Sequence, residues 1–200
     1  MKTHIKFYGI FGLSLILSLS SFAQGKWTTD KSHTSVKFTV THLVISEVEG
    51  KFKDFTGTMI SSKPDFSDAV IDFTINVASI STDNESRDKH LRSDEFFDAE
   101  KYPQITFKSL LFKKLKKNKY ALIGNLTMKD VTKQVKFDVT YGGTAKIGNG
   151  RTVAGFKAIS SINRFDYNVN WNSITETGSV VVGPIVKIQV DLEFRLATSN

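Results

Sequence analysis

The chain has no cysteine among its 200 residues. That absence excludes disulfides, structural thiolate zinc and thiol catalysis, and it leaves no lipobox cysteine for acylation. Beyond the N-terminus no apolar run approaches the ~20 residues that a spanning helix needs. Catalytic spacings are missing as well. There is no G-x-S-x-G elbow, and neither H-E-x-x-H nor H-x-H occurs, although distant strands can still assemble a metal site. Gly148-Asn149-Gly150 lies between strand-like runs and opens no helix, so it is not a phosphate loop. Carboxylates fall on outward strand faces or in one central insertion, and no acid and base stand out as a pair.

With 40% apolar residues and three prolines, the chain is long enough for one domain with a substantial core. Lys2 and Lys6 precede an apolar run from Phe7 to Leu19, then Ser21-Phe22-Ala23 with small residues at the positions a signal peptidase reads. We expect a signal peptide over residues 1–23, a mature domain over 24–200, and a periplasmic or secreted protein. The 27 basic and 20 acidic residues become 25 and 20 without Lys2 and Lys6, a mild formal charge of +5. The one dense cluster, Lys113 to Lys119, holds five lysines in seven residues. It reads as a patch making transient contact with an anionic membrane surface at about 1 kcal/mol per lysine. It reads better as a solvated hairpin tip whose lysines keep strand edges from pairing. No aromatics are interleaved for base stacking, so nucleic acid is a poor partner.

Period-two alternation dominates the rest. Val36, Phe38 and Val40 share one face of a strand over Thr34–His42, and His42 ends the same row. Gly50–Ile60 slips phase between Phe52 and Phe55, which predicts a bulge or bend. After a turn at Pro64–Asp68, Ile71, Phe73, Ile75 and Val77 alternate over Ala69–Val77. Gln104–Phe112 and Lys119–Met128 form a hairpin with Ile105, Phe107, Leu122 and Leu126 inward. After a turn at Lys129–Lys133, Val135, Phe137, Val139 and Tyr141 follow over Gln134–Tyr141. Gly142–Gly150 reads as a loop, Val153–Arg164 as a strand with Phe156, Ala158 and Ile162 inward and Arg164 ending the row, and Asn168–Gly178 as irregular. Val186–Leu196 is the cleanest strand, with Val186, Ile188, Val190, Leu192 and Phe194 inward. About eight one-faced strands at hairpin spacing predict an all-β closed antiparallel barrel or a sandwich, and periodicity does not separate the two.

The exception is Ser81–Pro103, charge-dense and aromatic-rich. Arg87, His90 and Leu91 share one face of a short helix, and Asp88 sits four residues before Arg92. Ser93 ahead of Asp94 and Glu95 reads as the N-cap of a second helix, and Pro103 stops it. Phe96, Phe97 and Tyr102 suit a plug at one end of a β core.

These residues also carry a resemblance. Arg87 to Leu91 (R-D-x-H-L), Phe96 to Asp98 (F-F-D), Tyr102 to Ser109 (Y-P-x-I-T-F-x-S) and Gly124 to Lys133 (G-x-L-T-x-x-x-V-T-K) resemble the YceI-like family of exported bacterial proteins. Asp30 to Ser35 (D-x-x-H-T-S), His42 to Ser46 (H-L-x-I-S) and Gly50 to Gly57 (G-x-F-x-x-F-x-G) extend the likeness over the mature chain. The resemblance implies a single eight-stranded lipocalin-like barrel enclosing a long isoprenoid, either a polyprenyl chain or a quinone tail.

Two classes of function follow. The first is a noncatalytic binder with no cofactor or metal beyond the bound lipid or quinone, acting as a monomer or homodimer. Its interior is lined by Phe38, Val40, Phe73, Ile75, Phe107, Leu126, Phe137, Phe156, Val190 and Leu192. Phe96 and Phe97 close one end, and His42, Arg87, His90 and Arg164 offer donors to a polar head near the mouth. The second is an enzyme using those histidines as acid or base. A structural or adhesion protein would instead have a filled barrel.

Overall fold

The structure, a computed structural model, describes residues 25–174, 178 and 180–197. The expected signal peptide lies outside them. The strands are β1 (Gly25–Thr29), β2 (Ser35–His42), β3 (Ser46–Phe52), β4 (Phe55–Ser61), β5 (Val70–Asn76), β6 (Ile80–Ser81), β7 (Gln104–Lys114), β8 (Lys119–Met128), β9 (Val131–Lys146), β10 (Thr152–Asn163) and β11 (Val182–Leu196), with one helix, α1 (Glu85–Arg92).

The order β1-β4-β5-β7-β8-β9-β10-β11 is antiparallel throughout and closes when Trp27 pairs with Leu196 and Thr29 with Phe194. The result is an eight-stranded barrel, as the alternation and the resemblance led us to expect. The remaining short strands are continuations. β11 spans 15 residues, so it pairs with β1 near its C-terminus and with β2 from Val182 to Asp191. Thus β1 and β2 are halves of one strand, bent at Asp30–Thr34. β3 and β4 are likewise halves of another, bent at Lys53–Asp54 between Phe52 and Phe55, where the hydrophobic phase slips. β5 and β6 flank a single 3-10 turn at Val77–Ser79.

Side chains hold the first bend. The Asp30 carboxylate is buried and accepts hydrogen bonds from the Ser32 amide, the His33 Nδ1 at 2.9 Å and the Arg195 guanidinium. Burial pushes this carboxyl up, but those donors outweigh burial and hold it well below the usual carboxylate range. Asp30, His33 and Glu193 are close enough to share an ion, yet Arg195 already occupies Asp30.

One end of the barrel is plugged. The β4–β5 loop turns Phe66 inward, with its ring 5.3 Å from Trp27, 5.4 Å from Phe156 and 5.6 Å from Tyr141. Asp68 fastens that loop by accepting from the Ser61 hydroxyl at 2.5 Å and the Ser62 amide at 2.9 Å. The lysine cluster forms the β7–β8 turn at this same end, with Lys114 on Asp65 at 3.2 Å. The opposite end carries the Thr82–Pro103 insertion.

Three expectations are corrected. Residues 142–146 are not loop. β9 runs on to Lys146, with Gly142 as the extra residue of a bulge between Tyr141↔Phe156 and Gly143↔Gly155, and Gly143 at φ +127°. At its other end β9 begins at Val131, because Lys129 and Asp130 both take positive φ and close a tight hairpin turn. Ser93 is not an N-cap. Its amide and hydroxyl both donate to the His90 carbonyl, ending α1, and residues 94–101 form turns.

Candidate functional site

Between the Phe66 plug and the insertion lies an apolar cavity of about 170 Å³. β2 and β3 contribute Val36, Phe38, Val40 and Phe52, β5 contributes Ile71, Phe73 and Ile75, and β7 to β9 contribute Ile105, Phe107, Leu122, Leu126, Met128 and Phe137. β10 and β11 complete the wall with Ala158, Ile162, Val186, Ile188, Val190 and Leu192. Phe38, Val40, Phe73, Ile75, Val186, Ile188, Val190 and Leu192 all sit on inward rows, yet they are only half-buried. In a close-packed core such positions are buried. Here they face empty space.

Glycine shapes that space. Phe38 lies over Gly50, its direct partner across the β2–β3 pair, and an added Cβ there would fall 2.2 Å from Phe38 Cζ. Phe73 lies over Gly57 in the same way, at 2.4 Å from Phe73 Cδ2, and Phe107 lies over Gly124, at 2.3 Å from Phe107 Cζ. Because these glycines present no side chain, three aromatic rings lie along the wall rather than across the lumen.

The insertion forms the other end of the cavity. Asn84 caps α1 by accepting from the Arg87 amide at 3.0 Å. Asp88 does not pair with Arg92. It turns inward and accepts from the Thr82 amide at 2.8 Å and hydroxyl at 2.6 Å, while Arg87 Nε donates to that hydroxyl oxygen at 2.7 Å. This network orients α1 so that Leu91 faces the cavity. His90 contacts Glu95 at 2.5 Å and stands edge-on to Phe96 and Trp171, with centroids 4.9 and 5.1 Å away. Lys129 on the β8–β9 turn donates to the Phe96 carbonyl at 2.7 Å. Phe96 and Phe97, expected to close one end, both lie on the cavity wall.

Arg164 is the unusual member. It is 4% exposed and lines the apolar cavity. Its Nε donates to the Gly183 carbonyl, Nη1 to the Val169 and Trp171 carbonyls at 2.7 Å, and Nη2 to the Val182 carbonyl. Burial lowers its pKa, and among the described residues no carboxylate pairs with it. Four of its five N–H bonds therefore tie Val169 and Trp171, after β10, to Val182 and Gly183 at the start of β11. The only other cationic member is Lys37, whose ammonium lies 3.8 Å from Asp191 on the outer face. No acid and base pair faces the lumen among the described residues.

Of the residues expected at the site, His42, Arg87, His90 and Phe156 are not on the cavity wall. His42 ends β2 and Arg87 is engaged with Thr82. His90 backs Phe96, and Phe156 packs in the plugged end. The others line the cavity. Val36, Ile71, Val186 and Ile188 were legible as members of the same alternating rows. Val169, also on the wall, and Trp171, which backs Phe96, sit in the irregular stretch after β10, where no periodicity marks them.

A closed antiparallel barrel with one plugged end, one helical cover and a carbon-lined lumen is lipocalin-like in architecture. The chain belongs to the YceI-like family, whose domain model matches residues 27–194. A UPF0312 protein of Staphylococcus aureus is 37% identical over 86% of this chain and 98% of its own length. Among solved structures, BcnA of Burkholderia cenocepacia aligns with a TM-score of 0.72 at 26% identity, covering 85% of this chain and 99% of its own. The YceI protein of Campylobacter jejuni aligns at 0.68 and 33% identity, covering 79% and 90%. A domain of Saccharophagus degradans described as polyisoprenoid-binding shares the fold, with a TM-score of 0.60 at 14% identity over 86% of this chain and 98% of its own.

Proposed function

We propose that this protein is an exported, noncatalytic carrier that holds a long isoprenoid, a polyprenyl chain or an isoprenoid quinone, inside its barrel. The observation that carries the reading is the lumen itself, where inward aliphatic and aromatic side chains remain half-buried around a carbon-lined cavity. Each CH₂ moved from water into such a lumen contributes about 0.8 kcal/mol, so chain burial supplies affinity and the polar head only sets orientation. A cavity of about 170 Å³ is close to the ~150 Å³ apolar cavity that takes one benzene ring, so a long chain enters by displacing the half-buried wall side chains. The polyisoprenoid-binding description of the S. degradans domain supports the ligand class. The basic, apolar and small-residue order of the N-terminus supports export to the periplasm or the medium.

A carrier needs no acid and base at its lumen, which favours it over an enzyme of the same fold. The test is mass spectrometry of an organic extract of protein purified without detergent from its native host. A polyprenyl or quinone mass in near-stoichiometric amount is expected. An extract holding no lipid, or a small polar molecule in its place, refutes the carrier.

A further inference from the structure

We propose that the uncharged hairpin tip at the insertion end, Leu43 to Ile45 with Ile174, Val180 and Ile185 beside it, docks the protein onto a lipid bilayer. The choice of a bilayer as occupant rests on the carrier reading above. The tip ends a long ladder: β2 and β3 stay paired from Val36↔Phe52 out to His42↔Ser46, about 20 Å at ~3.4 Å per residue. At its turn Leu43 and Val44 take φ of +53° and +66°. That conformation suits glycine or asparagine, and a β-branched side chain adopts it only under strain. The strain presents side chains to solvent, for Val44 is 67% and Ile45 85% exposed.

A second segment lies against the turn. The Leu43 amide donates to the Val181 carbonyl at 2.9 Å, Val182 pairs with His42, and Ile174 bridges to Val180. Ile174 is 70% exposed and Ile185 49%. Between Thr41 and Ser46 the sequence has no Lys, Arg, Asp or Glu, and from Asn168 to Val186 it has only Glu176. In a chain that is 24% charged, a stretch ending in methyl groups complements hydrocarbon and gives a protein partner few polar groups to recognise. The tip also continues the cavity wall, since Val40 and Val182 line the lumen just behind it. A bilayer that supplies the ligand would thus meet the barrel at the end where the lumen lies nearest. The lysine turn is at the far end.

Flotation of the full mature protein on vesicles of phosphatidylethanolamine and phosphatidylglycerol tests this, with uptake of a soluble short-chain prenyl phosphate measured separately without vesicles. In the variant Val44→Ser/Ile45→Ser, bilayer partitioning is expected to fall at least about tenfold, while uptake without vesicles stays at the wild-type level. In Lys116→Gln/Lys117→Gln, flotation is expected to persist. Equal flotation of the wild type and the tip variant, no flotation of either, or loss only in the lysine variant overturns the proposal. So does a wild type that dimerises through the tip and floats no better than the variant. Absent prenyl uptake in the wild type would sink the carrier reading instead, and flotation on ligand-free vesicles would still decide whether the tip docks on lipid.

Discussion

Gly50→Ala puts the glycine-backed lumen to a quantitative test. The new Cβ would sit 2.2, 2.6 and 2.9 Å from Phe38 Cζ, Cε1 and Cε2, and the nearest atoms are all in that ring. Backbone movement is therefore not required; the ring has to leave. The strand pair itself lies behind it, so the ring swings into the lumen. Repacking of this kind costs about 1 to 3 kcal/mol, and the loss of glycine's freedom in the unfolded chain returns about 0.4 to 1 kcal/mol. The net cost of about 1 to 2 kcal/mol lowers Tm by roughly 2 to 8 °C for a domain of this size. Binding suffers more. A phenyl ring is comparable to the space available, so one isoprene unit is excluded, which forfeits up to about 4 kcal/mol at ~0.8 kcal/mol per carbon. That is close to a thousandfold in Kd. Titration of delipidated protein with a long polyprenyl phosphate reads the loss, and Phe38→Leu added to Gly50→Ala is expected to restore most of it. A folded Gly50→Ala protein that binds with wild-type affinity refutes the idea that the chain runs past Phe38.

Tryptophan in place of Ile75 or Val190, both on the cavity wall, is expected to block long chains while thermal melts stay within a few degrees of wild type; unfolding would mean that the interior is packed. Phe96→Ala removes a buried ring that packs on His90 and Trp171, at a cost of about 3 to 5 kcal/mol in urea denaturation, and an unchanged midpoint would make the insertion a surface loop. Arg164→Met strips donors from four carbonyls and is expected to cost several kcal/mol, with hydrogen exchange rising across residues 164–183; exchange that stays at the wild-type level would show that Arg164 is not the tie. Asp30 has a folded pKa below its unfolded value of ~3.9, so its stabilisation is present above that value and fades as pH falls toward the folded one. Asp30→Asn is therefore expected to cost about 2 kcal/mol near neutrality, with the gap to wild type closing in acid, and a gap that holds constant down to pH ~2 would contradict this.

Much of the barrel was legible because a half-buried strand alternates. The rows through Phe38, Phe73, Phe137 and Val190 all point inward as their parity requires. The phase slip between Phe52 and Phe55 marked a true bend. What escaped depended on partners that alternation does not mark. β9 persists through Gly142 and Gly143 only because β10 pairs with it on both sides of the bulge at Gly142. Asp88 abandons the local pairing with Arg92 for Thr82, six residues earlier, because that bond is buried. Arg164 ended an inward row and so read as a mouth donor, whereas two carbonyls of the irregular stretch after β10, Val169 and Trp171, and two at the start of β11, Val182 and Gly183, claim it. Parity could not distinguish the lumen from the plug either. Phe156 is inward like the others, but Phe66 reaches it from a loop that reads as a simple turn.

The most direct measurement is the affinity of delipidated protein for a series of polyprenyl phosphates that differ only in chain length. Burial of the chain predicts that binding strengthens with each added isoprene unit and then levels off once the lumen is full, with the plateau moved to shorter chains in Val190→Trp. Affinity independent of chain length, or a plateau that Val190→Trp leaves in place, would contradict the claim that this barrel holds an isoprenoid within it.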